Sequence, residues 1–205
     1  MLDICEYRSG DVYMCWADIS GIDPSDTDGF SNRRIQRLRE IKRENERIRS
    51  AGAERMLIHA VSEMFPQIHI PLKYEVDDLG KPFFPNMSGV YFNLSHSGNI
   101  AVCAAAHIPV GVDVQQQRRI NKGIAAKYYT EAEREYVGES SEEFSRIWAR
   151  KEAVSKAVGN GLQIGFGNIE VLGEKTEYKG KMYSVSDIEC GFDGYFMALS
   201  HLLTV

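Results

Sequence analysis

Seven consecutive apolar residues, Ile100 to Ala106, followed after His107-Ile108-Pro109 by a second run from Val110 to Val114, constrain this chain more than any other feature. Short apolar runs bounded by turn residues read as strands buried on both faces, and these two are expected as neighbours in the middle of a sheet. The second run carries a charge. In Gly111-Val112-Asp113-Val114-Gln115 the period-two alternation of a strand sets Asp113 and Gln115 on one face. An unpaired carboxylate there costs several kcal/mol or takes up a proton, so Asp113 needs a metal cation, a basic side chain or several hydrogen-bond donors.

The helix expected from about Glu142 to Val158, ended by Gly159-Asn160-Gly161, supplies candidates for that partner. Phe144, Trp148, Glu152 and Lys156 recur every four residues and form one slowly rotating stripe, apolar at its start and charged at its end. Phe144 and Trp148 anchor the helix in the core, which leaves Glu152 and Lys156 at its rim. An exposed Glu-Lys pair would be the plainer reading of those two residues. Taken with Asp113, however, Glu152 offers a second hard oxygen ligand of the kind Mg²⁺ accepts, with water and substrate phosphates completing the shell. Lys151 and Lys156 would neutralise phosphate charge beside it.

Elsewhere a strand is expected over Asp11 to Ile19, then a loop from Gly21 to Gly29. A helical region runs from about Ser31 to Met64, with a break near Ser50-Ala51-Gly52. Short strands follow at about Ile68 to Val76, Pro82 to Phe84 and Val90 to Leu94. Thr130 with Glu133 three residues later is a capping-box signal for a helix ending near Val137. The remainder, Gly165 to Leu172, Lys181 to Ile188 and Tyr195 to His201, is strand-like. Helix followed by strands occurs twice, which predicts an α+β protein of two similar halves, residues 1–109 and 110–205.

Tyr91-Phe92-Asn93-Leu94-Ser95-His96-Ser97-Gly98 reads as a strand running into a polar loop, whose hydroxyls, imidazole and backbone N–H groups suit a phosphate. No G-x-S-x-G elbow makes Ser95 a nucleophile. The net charge of −5 speaks against general affinity for nucleic acid. Basic residues nevertheless outnumber acidic ones nine to four between Arg33 and Arg55, so one face suits a polyanion. Acidic residues where a signal peptide carries positive charge, no apolar run of membrane-spanning length, and four scattered cysteines without a C-x-x-C pair predict a reduced, cytoplasmic setting.

In this order the segments resemble the Sfp-type (surfactin-synthetase-activating) 4′-phosphopantetheinyl transferase family. Phe92-Asn93-Leu94-Ser95-His96-Ser97 is similar to its F-N-[IL]-S-H-[ST] motif and Gly111-Val112-Asp113 to its G-[IV]-D motif. Trp148-x-x-Lys151-Glu152-x-x-x-Lys156 is similar to its W-x-x-K-E-x-x-x-K motif, and Gly80-Lys81-Pro82 to its G-K-P. The resemblance implies two halves related by a pseudo-twofold in a monomer. It further implies transfer of the 4′-phosphopantetheine arm of coenzyme A to a serine of an acyl or peptidyl carrier protein, with release of 3′,5′-ADP.

By that resemblance Asp113 and Glu152 ligate Mg²⁺, with Gln115 standing where many members have a second acid and reaching the metal directly or through water. Lys81, Ser95 and His96 bind the phosphates of coenzyme A, Arg34 and Arg37 its 3′-phosphate, and Lys151 and Lys156 the pyrophosphate. The base for the attacking serine is Glu152 or Glu133. Lys156 stabilises the leaving phosphate. Arg118, Arg119, Lys122, Lys127, Tyr128 and Tyr129 are expected to meet the acidic carrier. The competing reading is a non-catalytic module that binds coenzyme A or a nucleotide.

Overall fold

A computed structural model describes residues 2–159 and 165–203. The chain divides into two compact units, Met1–Ile108 and Pro109–Val205. Each packs a long helix on an antiparallel sheet, which is the α+β architecture expected.

In the first unit, β1 (Cys5–Ser9), β2 (Val12–Asp18), β5 (Tyr91–Ser97) and β6 (Ile100–Ala106) form a sheet of order β1-β2-β6-β5. The helical region is divided into α1 (Asn32–Glu40) and α2 (Glu44–Met64), and β3 (Glu75–Val76) pairs with β4 (Pro82–Phe83). Helix α2 lies on the sheet face made by Tyr13, Cys15 and Ala17 of β2 and Ala101, Cys103 and Ala105 of β6, burying Met56, Leu57, Ala60 and Val61. The small side chains of β6 let the helix sit close. Cys103 is fully buried there, and burial raises its thiol well above the usual range, so it is a core residue and not a nucleophile.

The helical break does not fall at Ser50-Ala51-Gly52. These residues lie inside α2, and the chain breaks at residues 41–43, where no glycine or proline marks it. Packing decides the position, because α1 must fold back so that Leu38 meets Ala51 and Phe30. Gly52 serves a different purpose. A Cβ placed there would lie 2.6 Å from Ile19 Cγ2, so glycine allows α2 to cross the end of β2. Gly52→Ala is expected to cost about 1–3 kcal/mol in urea denaturation, and an unchanged midpoint would remove this reason for the glycine.

The second unit contains β7 (Val110–Gln116), α3 (Lys122–Tyr128), α4 (Glu131–Val137), α5 (Ser141–Val158), β8 (Lys175–Tyr178), β9 (Lys181–Ser184), β10 (Ser186–Ile188) and β11 (Tyr195–His201). Its sheet has the order β10-β11-β7, and β8 with β9 makes a separate hairpin. The two apolar runs are therefore not neighbours in one sheet: β6 pairs with β2 and β5, whereas β7 pairs with β11. The expected strand over Gly165 to Leu172 is instead a 3₁₀ turn at Phe166–Asn168 followed by irregular chain, with Phe166, Ile169 and Val171 buried. Its apolar residues anchor a connection without forming a ladder. Helix α5 ends on Gly159 in the left-handed region at φ 88°; Asn160 and Gly161 lie outside the described residues. Among the described residues no helix is long and apolar enough to cross a membrane.

Candidate active site

The strand alternation sets Gly111, Asp113 and Gln115 on the face of β7 that receives α5, beside Ala198 and Phe196 of β11. Asp113 is 6% exposed and finds the basic partner its burial demands. Lys156 Nζ donates to its Oδ1 at 2.7 Å and to the Val112 carbonyl at 3.1 Å. Glu152, one helical turn earlier, is half-buried. Burial first, and then the negative charge of Asp113, raise its carboxyl above the usual range, against the opposing charges of Lys156 and Arg118. Gln115 is 4% exposed and its Nε2 donates to the Gln116 carbonyl at 2.8 Å.

The donor set matches a small hard dication. Two carboxylates close enough to repel each other, with an amide on the same strand face, suit Mg²⁺, which takes one or two protein carboxylates and completes its shell with water and phosphate oxygens. Among the described residues no group of three or more His, Cys, Asp or Glu side chains is arranged to hold a metal. A cation held here would complete its coordination with water or with substrate oxygens.

Two sequence candidates belong elsewhere. Lys151 is 2% exposed, lies 2.7 Å from Glu133 Oε2, and donates to the carbonyls of Phe166 at 2.8 Å and Ile169 at 2.6 Å. Glu133 is fully buried. It closes the capping box with Thr130 and accepts the Val171 N–H at 2.8 Å. Lys151 is therefore not placed to grip pyrophosphate, nor Glu133 to take a proton from a serine; together they fasten the 166–171 connection to α4 and α5. Four-residue spacing puts Glu152 and Lys156 on one side of α5, and Lys151 is turned away from it. Tyr129, expected on the carrier surface, is 1% exposed. It stacks on Phe144 and donates to the Phe144 carbonyl at 2.5 Å, so it too is core.

In the first unit, Arg33, Arg34, Arg37, Tyr74, Gly80, Pro82 and Leu94 line an open cleft of about 520 Å³. Arg34 is already committed, with Nε at 2.9 Å from Glu54 and a nitrogen donating to Ser50 at 3.0 Å. Glu54 is fully buried and also accepts from Ser31 and Tyr74. Arg34 thus ties α1 to α2, and its charge is compensated. Among the described residues Arg37 carries an exposed pair with Glu40 at 3.5 Å and is the freer cation of the two. Lys81 sits in the β3–β4 hairpin, where burial lowers its ammonium pKa despite Asp77. The polar loop expected after Leu94 is instead strand: β5 continues through Ser97 and turns at Gly98-Asn99. Ser95 is buried and His96 exposed, on opposite faces of β5, and the described lining of the cleft includes Leu94 but neither of them.

Sequence reasoning missed Glu54, although a glutamate among Ala51, Ala53, Met56 and Leu57 on a buried helix was a visible signal. It also missed that Arg118 acts on Glu152 electrostatically.

Asp113, Glu152 and Lys156, gathered where an antiparallel sheet meets a helix, make this the candidate centre. A sequence model of the 4′-phosphopantetheinyl transferase superfamily matches residues 109–183, the segment that builds this centre. Over this segment the chain is similar to that superfamily, and its resemblance to the Sfp type stands on the relatives it matches. The 4′-phosphopantetheinyl transferase psf-1 of Bacillus pumilus is 30% identical over 122 residues, covering 57% of this chain and 52% of that protein. The 4′-phosphopantetheinyl transferase Sfp of Bacillus subtilis is 28% identical over 105 residues, 49% of this chain and 47% of that one. HetI of Nostoc is 32% identical over 102 residues, 44% and 43%. The chain spans about half the length of the curated relatives it matches. The crystal structure of Thermotoga maritima holo-[acyl-carrier-protein] synthase aligns with TM-score 0.37 and 25% identity over 48% of this chain and 64% of that one.

Proposed function

We propose that this protein transfers the 4′-phosphopantetheine arm of coenzyme A to a serine hydroxyl of an apo acyl or peptidyl carrier protein, releasing 3′,5′-ADP. The observation that carries the reading is the meeting of Asp113, Glu152 and Lys156 where β7 and α5 touch. Asp113 and Glu152 would hold Mg²⁺, with Gln115 beside them. When bound, the cation supplies charge neutralisation at the pyrophosphate.

The protein's own groups supply the rest. The serine oxygen forms a bond to the phosphorus nearest the pantetheine arm, and the bond from that phosphorus to the oxygen bridging it to 3′,5′-ADP breaks. Glu152, whose carboxyl holds a proton more tightly than an exposed glutamate, receives the serine proton through a water. Lys156 gives up its bond to Asp113 in part and meets charge on the departing phosphate. The buried setting of Glu133 favours Glu152 as the base.

Arg37 and the Gly80–Pro82 hairpin would receive the nucleotide end of coenzyme A, with Arg37 the freer cation for the 3′-phosphate. Lys81 would serve its other phosphates, and of Ser95 and His96, which β5 turns to opposite faces, only exposed His96 could join it. Arg37→Ala is expected to raise the KM for coenzyme A about tenfold with kcat little changed, the loss of one charge-assisted hydrogen bond; equal KM values would assign Arg37 to the solvated surface. Exposed Arg118, Arg119, Lys122 and Lys127 would steer an acidic carrier. The protein would work as a monomer in the cytoplasm, where its four cysteines stay reduced.

Chromatography of the nucleotide product tests the reading. With coenzyme A and Mg²⁺, 3′,5′-ADP should form only when an apo carrier with its serine intact is present. Product without carrier would mean hydrolysis by water, and no product with any carrier would leave a binding module.

A further inference from the structure

The centre's spacing has a cause two residues before Asp113. A Cβ built on Gly111 would lie 2.1 Å from the Ala153 carbonyl oxygen, 2.2 Å from the Ala157 nitrogen and 2.8 Å from the Lys156 carbonyl carbon. All three are backbone atoms of α5, which cannot rotate away as the tip of a side chain does. Gly111 is not in a left-handed conformation, so its backbone does not demand glycine. The requirement is distance alone. On either side of the contact the same economy is kept: Ala149 and Ala153 of α5 meet Ala198 of β11, the residue paired with Asp113.

We infer that Gly111 is a positioning residue for the cation centre: its missing side chain lets the 153–157 turn of α5 rest on β7 and thereby fixes Glu152 and Lys156 against Asp113. The inference rests on the proposed cation site and adds what sets its dimensions. Any side chain at 111 lifts the helix by at least the overlap, and a displacement on the order of 1 Å at such a centre is large in its effect. Lys156 would lose its 2.7 Å contact with Asp113. Glu152, on the preceding turn, would move with it.

Mn²⁺ binding to the full chain, read as loss of the free-ion electron paramagnetic resonance signal, tests this without turnover. Wild type should bind Mn²⁺, and Gly111→Ala should bind it about 10- to 100-fold more weakly, the range seen when support around a metal site is lost. Gly52→Ala, also a tightly packed glycine but on α2, should bind as wild type does. Ala198→Val wedges the α5 interface from β11 and should weaken binding in the same direction, which keeps the test decisive if Gly111→Ala does not fold. Wild-type affinity in folded Gly111→Ala, or in Ala198→Val where Gly111→Ala does not fold, overturns the role given to Gly111 and leaves the transferase reading standing. Equal weakening in Gly52→Ala overturns it as well, by reducing the effect to general instability. Failure of wild type to bind Mn²⁺ overturns the cation site and this inference with it.

Discussion

Asp113→Ala and Glu152→Ala should each lower the rate of carrier modification roughly 10²- to 10⁴-fold, the range that corresponds to several kcal/mol of lost charge stabilisation, while circular dichroism shows a folded chain. Removing Asp113 deletes one of the proposed oxygen ligands and releases Lys156 from its 2.7 Å contact. Removing Glu152 deletes the other proposed ligand and the proposed base. Glu152→Gln separates chemistry from folding. Burial and the charge of Asp113 raise the Glu152 carboxyl in the folded state, so the folded protein binds that proton more tightly than the unfolded chain. The favourable contribution is fully present below the unfolded glutamate value of about 4.3 and is lost as pH rises through the folded value. At neutral pH without metal, Glu152→Gln should therefore melt above wild type although it is inactive, and the gap should close near pH 4. A lower melting temperature at neutral pH would mean that Glu152 is held by favourable contacts and not against repulsion.

Lys151→Met is expected to be the most damaging change to stability, at about 3–5 kcal/mol, because it leaves the fully buried Glu133 charged without its partner. For a unit of this size that corresponds to a fall in Tm of more than about 12 °C. Lys151→Met combined with Glu133→Gln should recover part of the loss, since no uncompensated charge then remains. Thermal melts of the two single variants and the pair form the required cycle. A lysine that grips pyrophosphate would behave in the opposite way: Lys151→Met would melt like wild type and lose activity.

The contrast between Lys151 and Lys156 marks how far sequence reasoning reaches. Four-residue spacing found the stripe that brings Lys156 to Asp113 because helical geometry is local and regular. The partner of Lys151 lies on α4 and in the 166–171 connection, and no local pattern predicts that the chain returns there. The same division holds for the fold. Tyr195–His201 and Ile100–Ala106 were legible as strands from their apolar composition, and the Thr130–Glu133 capping box was legible from its spacing. That β6 and β7 enter different sheets was not, because an apolar run reports burial and not its neighbours. The break at residues 41–43 was hidden for a related reason, being imposed by Leu38 on Ala51. Arg34 shows the limit for a charged residue: the family resemblance implied a phosphate, and no local pattern revealed its ion pair with Glu54, twenty residues away.

The most direct measurement is the intact mass of an apo carrier protein after incubation with this protein, coenzyme A and Mg²⁺. A gain equal to one phosphopantetheine group, absent when the carrier serine is replaced by alanine and absent with Asp113→Ala, is the predicted result. An unchanged carrier mass across acyl and peptidyl carriers, with coenzyme A bound and intact, would contradict the account.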